Sequence, residues 1–246
     1  MRTLGRIATI GALVEVTCWV TATAIRPGSW RYDISALYAA GSPRPWLVMV
    51  GESALGVALG ALAIGLWRCL PHSDHRIVGC ALLAVASVGE FMSGLTRDSC
   101  EESVPACSGH AYTTPADWIE AAGSLLVIFG VAAAALVLAT TLPRRWSIYS
   151  MATGAAVLCS ILAWQSVPYP WVGSVERLFA LAVAAWVAAL GRLISRTHTP
   201  AANCAAARPR TRTPLPTCVE PHPPRSKSAT SRRSSTTRSS ACSPGP

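Results

Sequence analysis

The chain of 246 residues is 51% hydrophobic and only 13% charged, about half the charged fraction of a soluble globular domain, which excludes an ordinary water-soluble enzyme and points to a bilayer. Its net charge of +9 does not imply nucleic acid: after Thr197, Arg208, Arg210, Arg212, Arg225, Lys227, Arg232, Arg233 and Arg238 face the single acid Glu220. The basicity therefore belongs largely to a Ser-, Thr- and Pro-rich tail without interleaved aromatics, read as disordered over 197–246.

A helix crossing roughly 30 Å of hydrocarbon needs about 20 mostly apolar residues, and six windows of this chain qualify. The first, near 5–25, follows Arg2 and Arg6 and resembles a secretory signal in its flanks, but Glu15 stands in the middle of the run, where a signal core is uncharged. It is read as an uncleaved span. A long loop over 26–45 leads to the second window, near 46–67, in which Glu52, Gly56 and Gly60 share one helical face and the two glycines form a surface for close helix packing.

The turn RCLPHSDHR carries Cys69, His72, Asp74 and His75, all potential metal ligands. A nine-residue polar turn holds such residues merely by being wet, so no metal site is assigned there. The third window, near 77–96, contains Glu90. After it comes RDSCEESVPACSGH, where Cys100 and Cys107 are close enough to close a small disulfide loop. A metal site from Cys100, Cys107 and His110 lacks a fourth ligand and a typical spacing, and unpaired thiols are the remaining alternative. The fourth window, near 116–140, opens with Glu120. A basic turn, LPRRW, precedes the fifth, near 148–166, and VPYPW precedes the sixth, near 174–195, which starts with Glu176 and Arg177.

The expected fold is an all-α integral membrane protein, a six-transmembrane-helix bundle over 1–196 followed by the tail. Trp30, Trp46, Trp67, Trp146 and Trp171 fall at span ends, where indole prefers the headgroup layer. Counting arginines places both termini in the cytoplasm: Arg2, Arg6, Arg68, Arg76, Arg144, Arg145, Arg192 and Arg196 on that side, Arg26, Arg31, Arg44 and Arg97 on the other. The plasma membrane is the expected location, and lipids the expected partners.

Charges at span depth are costly and usually face a protein interior. At 1.5 Å per residue, Glu52 lies about 9 Å inward from Trp46, Glu90 about 10 Å from Arg97 and Glu120 about 8 Å from Pro115. With Glu176 and Arg177 they form an outward polar layer, while Glu15 alone is expected near the midplane. Those three end-of-span charges, Glu120, Glu176 and Arg177, can also snorkel to the interface. Arg177, the sole cation of the layer, is expected to pair with Glu52, Glu90 or Glu120.

Three stretches, DISALYAAGSPRPWLVMVGESALGVALGALA, EFMSGLTRDSCEESVPAC and VGSVERLFALAVAAWVAALGRLI, resemble the bacterial multi-span proteins of domain-of-unknown-function family 998. The resemblance spans about residues 5–196 and places Ser35, Asp98 and Arg177 at the family's polar positions. A histidine expected at the start of span four is replaced by ADWIEAAGS, so no role is carried over for it. The resemblance implies architecture and little chemistry.

No GxSxG elbow, HExxH pair, Walker loop or dinucleotide fingerprint occurs, and no cofactor or nucleic-acid partner is expected. The reading is a non-enzymatic helix bundle, structural, sensory or lipid-interacting, with a disulfide-clasped outer loop and room for a small ligand in an outer vestibule. The alternative is a proton- or cation-coupled transporter or intramembrane enzyme using Glu15, Glu52, Glu90 and Arg177. Nothing in the sequence fixes an oligomeric state.

Overall fold

The computed structural model describes residues 1–100, 114–167 and 171–197. Six helices, α1 Arg2–Ile25, α2 Pro45–Cys69, α3 Asp74–Leu95, α4 Pro115–Ala139, α5 Arg144–Ser166 and α6 Val172–Thr197, are each long and apolar enough to cross a membrane. Among the described residues there is no strand. The helices begin a few residues before the hydrophobic windows, and at α3 and α4 polar caps that hydropathy overlooks start them. Ser73 accepts the Arg76 N–H at the head of α3. Thr114 and Asp117 form a reciprocal capping box around Pro115 at the head of α4.

Each helix packs on its chain neighbours, α6 closes the ring on α1, and α2 also reaches α6 across the middle. An even number of antiparallel spans brings the first and last helix ends to one end of the bundle, here termed proximal; the other end is distal. Close approach depends on residues without side chains. A Cβ on Gly89 or on Gly123 would lie 2.6 Å from the carbonyl oxygen of the other, so α3 and α4 meet backbone to backbone. Gly56 and Gly60 face α3, where Ser87 donates to the Gly56 carbonyl at 2.7 Å, as the packing reading of these glycines requires.

The main core, including Leu59, Leu62, Leu83, Val131, Leu138, Trp186, Leu190 and Ile194, fills the proximal half. Trp186 donates its indole N–H to Ser150 at 2.9 Å, which satisfies the one polar atom of the largest buried side chain. On the outside, Leu13, Val57, Val88, Leu125, Phe129, Leu162 and Leu178 are exposed. Water would not tolerate an apolar belt of that extent, and lipid tails cover it without cost.

The distal end is closed differently. Residues 26–44 are not an open loop: two single 3₁₀ turns, Ser29–Arg31 and Ser35–Leu37, fold the segment into the bundle, where Ile34, Ala36, Leu37, Tyr38 and Ala39 are all buried. They join Trp19, Ala22, Val48 and Ala180 in a second, smaller apolar cluster. Residues 198–246, most of the expected tail, lie outside the described residues, as does Cys107.

Candidate functional site

Backbone that is neither helix nor strand must find donors and acceptors inside the bundle. The inserted segment finds its donor in α6. The Arg177 guanidinium donates to the carbonyls of Tyr32 at 2.8 Å, Ser29 at 3.1 Å and Trp30 at 3.4 Å, to Gly173 of its own helix at 2.7 Å, and to the Thr23 hydroxyl at 3.4 Å. The neighbouring Glu176 accepts the Ile34 N–H. From the opposite wall Arg97 donates to the carbonyls of Tyr38 at 3.0 Å and Ala39 at 3.1 Å, and Ala40 N–H donates to the Asp98 carbonyl at 2.8 Å.

The expected pairing of Arg177 with Glu52, Glu90 or Glu120 is therefore not what forms. Carbonyl dipoles of the inserted segment take the guanidinium instead. Arg177 is buried, and neither it nor Glu120 snorkels outward.

Beneath this plug lies a cavity of about 730 Å³ to which all six helices contribute, within the range of small-molecule sites. Its lining includes Glu15, Glu52, Glu90, Glu120 and Glu176, four of which had been placed in one layer by counting along the spans. Glu15 joins them rather than standing alone: a Cβ on Gly51 would lie 3.3 Å from the Glu15 Cα, so Glu15 sits one residue away from the level of Glu52. Asp33, Asp98 and Asp117 line the same space. Eight of the chain's 12 Asp and Glu thus share one cavity, and among its described lining residues there is no Arg, Lys or His.

The carboxyls are held in different ways. Glu120 Oε1 accepts hydroxyl donations from Tyr38 at 3.0 Å, Ser124 at 3.0 Å and Ser93 at 3.3 Å. Burial, with Glu52 and then Glu120 alongside, pushes the Tyr38 hydroxyl well above the ordinary phenol range, so it keeps its proton and remains a donor. Asp117 accepts the Ser99 N–H at 2.7 Å, the Ser99 hydroxyl at 2.9 Å and the Thr114 N–H at 2.7 Å, stitching the start of the α3–α4 connection to the α4 cap.

Glu52 and Glu90 both line the cavity and lie close enough to act on each other electrostatically. Glu15 is only 5% exposed, and its Oε2 has no hydrogen-bond partner. Two unit charges about 5 Å apart repel by about 3 kcal/mol at an effective dielectric of about 20. An empty cavity cannot therefore keep the deep carboxyls all ionised without a large penalty, and protons or another cation relieve it.

Of the positions suggested by resemblance, Ser35 and Asp98 line the cavity and Arg177 ties the plug above it. A model of the family described as Protein of unknown function (DUF998) matches residues 9–193. The chain belongs to the DUF998 family. No curated protein and no solved structure matches it. Membership in DUF998 accords with six apolar helices and assigns no chemistry, so the chemistry has to be read from the cavity of this DUF998 chain itself.

Sequence reasoning missed Asp33, Asp117 and Tyr38. Thr114 and Asp117 stand at capping-box spacing next to Pro115, a signal that was legible. No comparable signal marks the burial of Tyr38. Among the described residues no three His, Cys, Asp or Glu side chains are grouped so as to hold a metal ion.

Proposed function

We propose that this multi-pass membrane protein is a non-enzymatic helix bundle whose activity is reversible occupation of the distal cavity by a small cationic solute, in a sensory or carrier role. One observation carries the reading: most of the chain's carboxyl groups line a single cavity of small-molecule size, and among its described lining residues there is no basic side chain. Such a lining attracts cations and rejects anions by several kT before any contact forms. The distal half of α5 supports access from the side. Its buried positions, Ser150, Thr153, Gly154 and Val157, all precede Leu158, so Ser160, Ile161, Trp164 and Gln165 wall the cavity with a helix that is thinly packed there.

The sequence reading of the termini as cytoplasmic, in the plasma membrane, with a Cys100–Cys107 clasp outside, completes the proposal. Cys100 lines the cavity mouth, and a covalent loop at that point would steady the rim. The test is binding by the full chain in lipid nanodiscs. Sodium, an organic ammonium, a carboxylate and a neutral sugar are each titrated at constant ionic strength, and the melting temperature is followed. Stabilisation by cationic solutes alone supports the proposal, and equal response to the carboxylate and the cations refutes it.

A second reading is favoured by the proximity of Glu52 and Glu90 in one buried cavity: a proton-coupled carrier, in which solute entry exchanges against a proton held by these carboxyls. Arg177 is withdrawn from this mechanism by its bonds to the plug. Proton flux in liposomes that disappears in Glu90→Gln, with the fold retained, supports this reading; wild-type flux no greater than that of empty liposomes removes it.

A further inference from the structure

The cavity has two unlike walls. The wall of α1, α2 and α3 carries Glu15, Glu52 and Glu90, and there Glu15, 5% exposed, leaves its Oε2 without a hydrogen-bond partner. The facing wall, below Glu120, is mostly apolar: Leu125 and Ile128 from α4, Ile161 and Trp164 from α5, Phe179 from α6. Its polar members, Ser124, Ser160 and Gln165, are uncharged.

Helix register fixes where that second wall opens. Gly154 of α5 packs against Ala132 and Leu136 of the antiparallel α4, so Ile161 comes level with about Ile128 and Trp164 with about Leu125. On the other flank of α4, Gly123 packs against Gly89 and Ser93, and Gly130 against Ala86, which brings Glu90 to about the level of Ser124. Leu125 is 54% exposed and Trp164 37% exposed, yet both line the cavity. Side chains that meet the cavity and the lipid belt at once mark an opening between α4 and α5, at the height of Glu90. Leu125 follows Pro115, the first residue of α4, by ten residues, about 15 Å, so the opening faces acyl chains rather than water.

These features discriminate among ligands. The carboxylates repel an anionic head, and no basic side chain among the described lining residues offsets them. A metal ion finds no converging set of ligands among the described residues. A small hydrophilic cation leaves the apolar wall and the lipid-side opening unused. A molecule with one ammonium and one hydrocarbon tail uses both walls and the opening between them.

We propose that the cavity takes a lipophilic amine from the bilayer, its ammonium among Glu15, Glu52 and Glu90 and its single tail leaving between α4 and α5 along Leu125, Ile128, Ile161 and Trp164. This rests on the cationic-solute reading above and narrows it to an amphiphile that arrives through lipid. Glu15 Oε2 accepts one ammonium N–H, and the charge-assisted bond is strong because the carboxylate is buried. The tail exchanges lipid for an equally apolar groove, so affinity comes from the head and access from the tail.

The test uses the full chain in phosphatidylcholine nanodiscs and three photoreactive probes, nonylamine, nonanoic acid and nonanol, each with a diazirine at the far end of the chain. Labelled residues are mapped by peptide mass spectrometry. Nonylamine is expected to label α4 and α5 saturably around Leu125, Ile128, Ile161 and Trp164. Octylamine should displace it at a concentration at least about tenfold below that of ethylamine, because each methylene adds to its concentration in the lipid. Glu15→Gln should weaken labelling at least about tenfold, and Leu125→Trp, which narrows the opening, should abolish it at Ile161. Ile10→Trp, on the lipid face of α1, should label as wild type. The melting temperature establishes which variants are folded, and Leu125, on the lipid side, keeps the test open where Glu15→Gln does not fold.

Ethylamine displacing the probe at the same concentration as octylamine overturns the lipophilic ligand and leaves a cation cavity standing, as does wild-type labelling in the folded variants. Unsaturable labelling spread over Leu13, Val57 and Leu178 also overturns it, since the amine then merely dissolves in the bilayer; a melting temperature still raised by tetramethylammonium keeps the cation reading. Acid and alcohol probes that label α4 and α5 as well as the amine does remove both this inference and the reading on which it rests.

Discussion

Replacing Gly173 by alanine tests whether the plug is held by α6. A Cβ at this position would lie 2.6 Å from the Tyr32 carbonyl carbon and 2.7 Å from Arg177 Nη1, where ordinary contact begins at 3.4 Å. The Tyr32 oxygen lies nearer still, so the carbonyl must retreat by more than about 0.8 Å, carrying the 2.8 Å bond from Arg177 to Tyr32 beyond about 3.6 Å, where it no longer counts as a hydrogen bond. Loss of one bond to a charged donor costs about 1.5–3 kcal/mol, and the overpacking about 1–3 kcal/mol more.

A combined cost of about 3 kcal/mol or more, confined to the plug, accelerates exchange through local opening by more than about a hundredfold. Hydrogen exchange followed by mass spectrometry reads this at the amides of Leu37 and Tyr38, which bond to the carbonyls of Ile34 and Ser35. The Leu83 amide, deep in α3, should be unchanged. Wild-type exchange at Leu37 and Tyr38 in Gly173→Ala would show that the plug does not depend on the α6 contact, and the account of Arg177 would fall with it.

Asp117→Ala removes the capping box and the Ser99 tie together and should destabilise the chain by about 1–3 kcal/mol, seen as a lower melting temperature that Asp117→Asn restores only in part. A chain ending at Arg196 should insert and melt like the full chain, because the residues beyond lack the apolar periodicity needed to bury surface; a lowered melting temperature refutes that. Peptide mapping without reduction should recover Cys100 linked to Cys107, with Cys18, Cys80 and Cys159 as free thiols. Labelling of Cys100 by an impermeant maleimide before reduction would exclude the clasp.

The helices were legible because each needs only length and continuous apolarity, whereas counting along the spans gives only approximate depths: Glu52, Glu90 and Glu120 line one cavity, with Glu52 beside Gly94 and Glu90 about a turn deeper. Glu15 was misplaced by the same counting. It lies ten residues before the end of α1, yet it stands beside Gly51, six residues into α2. The last turns of α1 therefore project past the start of α2, and helix ends that are not coplanar defeat a ruler laid from each end. Arg177 was assigned to carboxylates because charge complementarity is visible in a sequence, whereas the carbonyls that compete for it exist only once 26–44 has folded inward. That folding leaves no periodic trace, since two 3₁₀ turns are too short to impose one.

Sequence tolerance along α6 should change character partway. Near Val183 to Ile194 the helix is embedded in the proximal core, where a substitution is felt through volume, so leucine for valine matters and an isosteric exchange does not. Near Gly173 to Arg177 the same helix meets carbonyls, an amide and open space, where size is secondary and donor or acceptor identity decides. One helix thus carries two codes, a steric one at one end and a polar one at the other. Variation among related chains, read position by position along it, should turn from volume-conserving to chemistry-conserving about midway.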